Sequence, residues 1–230
     1  MKIYNFSAGP ACLNESVLSV ASEASLEYKD SGMSLLEMSH RSKEIVSLFE
    51  ETTENLQSLL SIPSNYKILW LQGGASLQFP MIPMNLISKG GSADYIDTGS
   101  WSSKAINECN KLETAIIIAS SSKSNYSFIP KQFEQNIESN YLHITSNNTI
   151  YGTQYKDYPE VINPNGFLVA DMSSDILSKP INVSDFGLIY AGAQKNMGPA
   201  GVTLVIIRDD LVGKNYRDIP TMLNYETHVK

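Results

Sequence analysis

Short apolar runs recur along the chain, and most are continuous rather than alternating with polar residues. A strand of this kind is buried on both faces, as in a parallel sheet covered by helices. The pattern therefore indicates an α/β fold with a mostly parallel central sheet flanked by helices. The predicted strands are residues 67–71, 93–97, 115–119, 141–145, 167–170, 188–190 and 202–207.

Apolar residues at helical spacing lie between these runs. The strongest predicted helix spans residues 42–61. An earlier one spans residues 14–29, where Asn14 can cap the start and Val17 and Val20 lie on one apolar face. Further helices, which supply connections between strands, are predicted at residues 75–88, 102–111 and 130–139.

Composition restricts the possible partners. The 230 residues carry a net charge of −7, which argues against nucleic acid, because a phosphate backbone is bound by a basic surface. No apolar run approaches the ~20 residues that cross a bilayer, and no apolar signal core is present, so we expect a cytoplasmic protein without membrane contact. Cys12 and Cys109 fit reduced thiols, and three scattered histidines suggest no metal site.

Ligands of parallel α/β folds bind beyond the carboxyl ends of the strands, so we read the residues that follow each run. Small residues at 73–76, among them Ala75 and Ser76, follow the first run. They leave backbone N–H groups free at a helix start, where a phosphate can bind. A tight turn without a ligand is the slightly better explanation of this stretch taken alone.

Three later strand ends carry a ring and two polar side chains. Trp101 can stack on an aromatic cofactor, although tryptophan more often packs in a core. Thr149 can hydrogen-bond a cofactor oxygen, although such polar stretches are usually loops. Asp171 ends a buried run, where a carboxylate is costly unless it is paired. A protonated ring nitrogen is one suitable partner, and a helix cap or a structural ion pair explains Asp171 about as well.

Lys195 follows the run at 188–190 among small residues. Desolvation there lowers a lysine pKa and makes the amine nucleophilic, as Schiff-base chemistry requires, although most lysines are solvated. Together these strand ends supply a phosphate cradle, a stacking ring, a hydroxyl, an acid and an amine, which are the parts of a pyridoxal-phosphate site. His40 and Arg41 can bind an anionic substrate group, although a solvated pair is more common.

Five segments are similar to one family along essentially the whole chain. They are residues 5–10 (NFSAGP), 39–42 (SHRS), 73–79 (GGASLQF), 98–101 (TGSW) and 190–201 (YAGAQKNMGPAG). These segments resemble phosphoserine aminotransferases. The resemblance implies the large domain of a fold-type-I pyridoxal-phosphate transferase, with an N-terminal arm at 1–15 and the cofactor-binding domain at 16–230.

The resemblance also implies an activity. Such an enzyme is a homodimer that moves an amino group from glutamate to 3-phosphohydroxypyruvate, giving phosphoserine and 2-oxoglutarate, in serine biosynthesis and in many bacteria also in pyridoxine biosynthesis. Lys195 would be the catalytic lysine that bonds to pyridoxal 5′-phosphate. His40 and Arg41 would bind the anionic substrate, and no metal is implied. The other cofactor-binding residues would be Ala75, Ser76, Trp101, Thr149, Asp171 and Gln194.

Two departures leave alternatives open. Asn148 stands where the family usually has glutamate, so the contact near Thr149 is expected to differ. Family members continue past Lys230, so the small C-terminal domain is expected to be absent. A related small-substrate aminotransferase or lyase is one alternative function. Another is a catalytically impaired or inactive truncated family member that acts at most as a binding or interaction protein.

Overall fold

A seven-stranded sheet forms the centre of a computed structural model that describes residues 3–214 and 216–229. The strands, in chain order, are β1 (Tyr66–Leu71), β2 (Ser92–Asp97), β3 (Thr114–Ser120), β4 (Tyr141–Thr145), β5 (Asn147–Asn148), β6 (Thr153–Gln154), β7 (Phe167–Asp171), β8 (Leu188–Gly192) and β9 (Thr203–Arg208). β5 and β6 pair in a separate hairpin, and the other seven lie in the order β1-β9-β8-β7-β4-β2-β3. All seven predicted strands are confirmed.

The direction of the strands decides where a ligand can bind. β9 pairs antiparallel with both β1 and β8, whereas the pairs from β8 to β3 are all parallel. The six strands other than β9 therefore end at the same edge of the sheet. The predicted mostly parallel sheet is confirmed, and this edge is the one at which ligands bind in such folds.

Four of the five predicted helices are confirmed. They are α1 (Glu15–Leu26), α2 (Lys43–Leu60), α3 (Gly74–Leu86) and α4 (Ser100–Cys109). The Asn14 side chain caps α1 by accepting the Ser16 N–H at 2.9 Å, as the sequence predicts. The apolar face of α1 lies on the surface, since Val17 is 50% and Val20 65% exposed. No helix within the described residues is both long enough and apolar enough to span a membrane.

The helix predicted at residues 130–139 is wrong. Side-chain hydrogen bonds hold this segment in an irregular connection instead. The Asp94 carboxylate accepts the Asn136 N–H and the Ser139 hydroxyl, each at 2.7 Å. The Gln135 amide group donates to the Glu160 carbonyl at 2.6 Å. Polar side chains that bond the backbone in this way compete with helical hydrogen bonding, which periodicity alone does not reveal.

The sheet separates two apolar layers. One layer, on the α3 and α4 side, contains Ile82, Tyr95 and Tyr190, which are at most 1% exposed. The other layer, beneath α2, contains Ile144 and Ile206 at 0% exposure. Because both faces of the inner strands are covered, these strands consist largely of continuous apolar runs, whereas β3 at the sheet edge is partly exposed.

A buried polar pair ties the C-terminal part of the described chain to α3. The Tyr225 hydroxyl donates to Gln78 Oε1 at 2.7 Å, and both residues are 0% exposed. The Tyr225 N–H donates to Asn85 Oδ1 at 3.1 Å. These bonds hold the segment after β9 against the helix whose start lies at the ligand-binding edge.

We expect Tyr225→Phe to lower the free energy of unfolding by about 1–3 kcal/mol, because it leaves the buried Gln78 oxygen without its donor. Urea unfolding followed by circular dichroism would measure the change. Tyr216→Phe is the matched control, since Tyr216 is 37% exposed and should change stability little. Equal effects of the two variants would contradict the expectation.

Candidate active site

A cavity of about 130 Å³ lies at the carboxyl edge of the sheet. It lies between the starts of α3 and α4 on one side and the ends of β4 and β7 on the other. Six of the predicted site residues line it, namely Ala75, Ser76, Trp101, Asp171, Gln194 and Lys195. The structure thus brings together residues that are up to 120 positions apart, from Ala75 to Lys195.

Lys195 is half-buried in this cavity, three residues after the end of β8. Its Nζ donates a hydrogen bond to Thr149 Oγ1 at 2.5 Å, so the predicted site residue Thr149 contacts the lysine amine. The same Nζ lies 5.2 Å from the centre of the Trp101 ring. Burial lowers the pKa of Lys195, and the nearby carboxylates of Asp171 and Asp175 partly offset the shift. A lysine in this state reaches its nucleophilic, uncharged form more easily than a solvated one.

Asp171 is the last residue of β7 and is only 5% exposed. Its Oδ1 accepts the Ser173 N–H at 3.0 Å and the Ser173 hydroxyl at 2.6 Å. Burial raises the pKa of Asp171, while the Ser173 hydrogen bonds and the charge of Lys195 oppose the rise. The Ser173 hydroxyl also accepts the Gly192 N–H at 3.1 Å, which fixes the turn to the end of β8. The carboxylate is therefore held in one orientation beside the lysine.

The start of α3 forms one end of the cavity. Gly73 and Gly74 have φ values of 89° and 70°, in the left-handed region that favours glycine. A Cβ on Gly73 would lie 2.4 Å from the Leu77 side chain, so another residue would also clash there. The turn opens α3 at Gly74, and Ala75 and Ser76 of its first turn, where backbone N–H groups lack partners within the helix, line the cavity. N–H groups at a helix start attract an anion such as phosphate.

Trp101 lies in the first turn of α4 and forms one wall. Its indole Nε1 is buried without a hydrogen-bond partner among the described residues. Ser102 fixes the helix start by accepting the N–H groups of Thr98 and Gly99 at 2.9 and 3.0 Å. The Lys104 ammonium lies 4.5 Å from the Trp101 ring centre. The indole is thus placed in the cavity wall by its helix.

Sequence reasoning missed several residues of the site, including Thr145, Ser173 and Gly9. The Thr145 hydroxyl lines the cavity, is buried, and has no hydrogen-bond partner within the described chain. Ser173 orients Asp171, although sequence reasoning singled out only the aspartate two residues earlier. Gly9 packs against the lysine, since a Cβ there would lie 2.8 Å from Lys195 Cγ, and the nearby Ala11 N–H donates to the Gln194 carbonyl at 2.9 Å.

His40 and Arg41 do not line this cavity. Both are exposed and lie just before α2. His40 lines a separate open pocket together with Val46, Phe49 and Val229. Within one chain the structure does not bring this pair to Lys195, and its role in substrate binding stays a prediction.

Taken together, the cavity can bind an anionic group at one end and a flat ring beside the tryptophan. It can also pair a ring cation with Asp171 and present an amine to an electrophile. The family model described as aminotransferase class-V matches residues 3–218. The chain therefore belongs to the class-V aminotransferases.

Within this class, phosphoserine aminotransferases are among the proteins to which the chain is similar. The one from Lysinibacillus sphaericus is 53% identical, over 99% of this chain and 63% of its own length. A structure of phosphoserine aminotransferase from Bacillus circulans subsp. alkalophilus has a TM-score of 0.93 and 47% identity, over 99% of this chain and 63% of that one. A pyridoxal-phosphate-bound phosphoserine aminotransferase from Trichomonas vaginalis has a TM-score of 0.92 and 36% identity, over 99% of this chain and 64% of that one. The chain thus spans less than two thirds of these proteins' length.

The buried Asp171 charge predicts a pH-dependent stability. Because its folded-state pKa lies above the ordinary 3.8, the stabilising contribution of this group is complete below pH 3.8 and is lost as pH rises through the folded-state value. Asp171→Asn, without cofactor, should therefore be more stable than the wild type near pH ~7, and the difference should shrink towards acid pH. The midpoints of urea unfolding for the two proteins, measured from acid to neutral pH, give this difference in stability. The exposed Asp157→Asn should show no such gain. A wild type that is more stable than Asp171→Asn at neutral pH would contradict the prediction.

Proposed function

We propose that the protein is a pyridoxal-phosphate-dependent phosphoserine aminotransferase that moves an amino group between glutamate and 3-phosphohydroxypyruvate. The observation that carries the proposal is the placement of Lys195 and Asp171 in one small cavity, with Thr149 and Trp101 beside the amine. Sequence identities of about half to phosphoserine aminotransferases support the substrate class.

The residues of the cavity fit pyridoxal phosphate. The start of α3, at Ala75 and Ser76, would hold the phosphate, and Trp101 would stack on the ring. Asp171 would pair with the ring nitrogen, and Gln194 and Thr149 would contact the phenolic oxygen or the phosphate. The buried Thr145 hydroxyl, which has no hydrogen-bond partner in the part of the chain that the structure describes, lines the same cavity and would gain a partner from a polar ligand.

Each residue then has a defined task. The cofactor, when bound, supplies an electron sink for negative charge that develops at the substrate's α-carbon. Lys195 would attach the cofactor through Nζ. Once the substrate has released it, Nζ would accept a proton and return it. Thr149 would orient the amine through their hydrogen bond. Asp171 would keep the ring nitrogen cationic, because an adjacent carboxylate favours the charged form of a base.

The remaining proposals concern partners and organisation. We infer glutamate, 2-oxoglutarate and phosphoserine as small-molecule ligands, with His40 and Arg41 binding the anionic substrate. A homodimer, a cytoplasmic location, and an arm at 1–15 leading into a cofactor domain at 16–230 are also proposed. The contact of Gly9 and Ala11 with residues 194 and 195 supports an arm that reaches the site. An inactive binding protein is the second candidate, favoured by exposed apolar side chains such as Leu26 and Leu59.

The first test is an absorption spectrum of the purified chain with added pyridoxal phosphate. We expect a visible band that shifts when phosphoserine is added, because the substrate amine would compete with Lys195 for the cofactor. Lys195→Ala should lack the band. Lys179→Ala is the matched control and should keep it, since Lys179 donates to the Tyr155 carbonyl away from the cavity. A wild type without the band would favour the inactive binding protein.

Arg41→Ala tests the substrate class. We expect it to weaken phosphoserine binding by about tenfold or more, because charge-assisted hydrogen bonds to a phosphate are lost. Binding of an unphosphorylated amino acid should change far less. Spectral titrations of both ligands measure the two affinities, and Lys43→Ala, which removes a neighbouring exposed cation, is the control. Equal losses for the two ligands would favour a related aminotransferase or lyase.

A further inference from the structure

Asp97 is a buried carboxylate that the chemistry proposed above does not use. It is the last residue of β2 and is 7% exposed. Four hydroxyl groups donate to it, those of Ser102 and Ser103 to Oδ1 at 2.9 and 2.8 Å, and those of Ser120 and Tyr126 to Oδ2 at 3.0 and 3.2 Å. Among the described residues, no cation forms an ion pair with Asp97. Hydrogen bonds to hydroxyl groups therefore compensate for the burial of this carboxylate.

The hydroxyl of Ser102 joins Asp97 to the turn before α4. Its oxygen accepts the N–H groups of Thr98 and Gly99, which fill both of its acceptor positions. Its one proton has two acceptors within reach, Asp97 Oδ1 at 2.9 Å and the Gly99 carbonyl at 2.8 Å. That carbonyl already accepts the Ser103 N–H at 3.0 Å, and a hydrogen bond to a carboxylate is the stronger of the two. The proton of Ser102 therefore belongs to Asp97.

Ser103 adds a second bond from the same helix. The distance of 2.8 Å to Asp97 is the shortest of its side-chain hydrogen bonds. Because α4 begins at Ser100, the carboxylate lies at the N-terminal end of the helix, where the helix dipole favours a negative charge. The two residues that follow Trp101 are thus both bonded to the end of β2.

The other carboxylate oxygen connects Asp97 to the neighbouring strand. Ser120 is the last residue of β3, which pairs with β2. Tyr126 lies in the segment after β3, with its ring centre 4.8 Å from that of Tyr151. Ser120 and Tyr126 hold the carboxylate from the β3 side and do not belong to α4. The two sides of Asp97 can therefore be tested separately.

The turn before α4 is also packed from the side of the β5–β6 hairpin. The Thr98 hydroxyl donates to Asn148 Oδ1 at 3.2 Å, and Asn148 is 1% exposed. A Cβ on Gly99 would lie 2.9 Å from the same oxygen. The turn that leads to Trp101 is therefore fixed between Asp97 on one side and the hairpin on the other.

We propose that Asp97 is a positioning residue that holds Trp101 in the cavity wall, where the indole would stack on the ring of the cofactor. The inference rests on the proposed function for its ligand, but the placement of the indole exists without one. Nε1 of Trp101 has no hydrogen-bond partner among the described residues, so no hydrogen bond of its own fixes the ring. Its position depends on packing and on the start of α4, which Asp97 anchors.

The first measurement is tryptophan fluorescence without cofactor. The chain has two tryptophans, so Trp70→Phe leaves Trp101 as the only reporter. In that background we expect Asp97→Ala and Ser102→Ala to shift the emission to longer wavelength and to increase quenching by acrylamide, because the indole is held less firmly in the wall. Asp97→Asn should lie between Asp97→Ala and the wild type, since its amide keeps one acceptor oxygen. Far-ultraviolet circular dichroism verifies that each variant is folded.

Two controls separate positioning from general damage. Ser120→Ala removes a hydroxyl that bonds the same carboxylate from β3, and should leave the Trp101 emission unchanged. Trp101→Phe leaves Trp70 as the reporter, on β1 and packed against the apolar layer beneath α2. Asp97→Ala should not change the Trp70 emission. A change at Trp70 as large as that at Trp101, or equal effects of Ser120→Ala and Ser102→Ala, would overturn the proposal.

The second measurement is the affinity for pyridoxal phosphate, by absorption titration. We expect Asp97→Ala and Ser102→Ala to weaken binding about three- to tenfold, because the stacking contact of the indole is weakened. Ser120→Ala should bind as the wild type does. An unchanged Trp101 emission in Ser102→Ala or in folded Asp97→Ala, or a changed emission without a loss of affinity, would contradict the proposal. A wild type that binds no cofactor while the emission changes as expected would instead contradict the proposed function alone.

Discussion

Parallel pairing of strands that are buried on both faces is the constraint on which the rest of the structure depends. Because β8, β7, β4 and β2 all point the same way, their last residues meet at one edge. That edge is where backbone pairing stops and side chains with polar groups can be held without disturbing the sheet. Asp171, Thr145 and the turn to Lys195 all lie there, so the direction of the strands decides the composition of the cavity.

Burial of Asp171 and Lys195 at this edge determines how reactive the two groups are. A carboxylate at 5% exposure and an amine half-buried beside it are both driven towards their uncharged forms. Each partly restores the charge of the other, and Ser173 adds two hydrogen bonds to the carboxylate. Groups poised between charge states in this way are typical of active sites, where stability is given up for reactivity. A solvated lysine and aspartate at the same separation would lack this property.

Much of the fold could be predicted because burial on both faces leaves a direct mark on the sequence. The strands were found for this reason, and the site residues were found because they follow strands. The segment at 130–139 could not be predicted, since its conformation depends on Asp94, some 40 residues earlier. Gly9 and Thr145 were missed because the position of Gly9 against Lys195 and that of Thr145 in the cavity wall arise only in the folded chain. His40 and Arg41 show the converse, because the sequence indicates that the pair can bind an anion but does not indicate where the pair lies in the fold.

Ser173 shows how the turn after β7 supports the charge of the site. Its hydroxyl and its N–H both donate to Oδ1 of Asp171, at 2.6 and 3.0 Å. In a low-dielectric interior a hydrogen bond to a carboxylate acts more strongly than it would in water, so these two bonds oppose the burial that disfavours the charged form. The same hydroxyl accepts the Gly192 N–H at 3.1 Å, which joins the turn to the end of β8, three residues before Lys195. One serine therefore orients the carboxylate and also ties it to the strand that leads to the lysine.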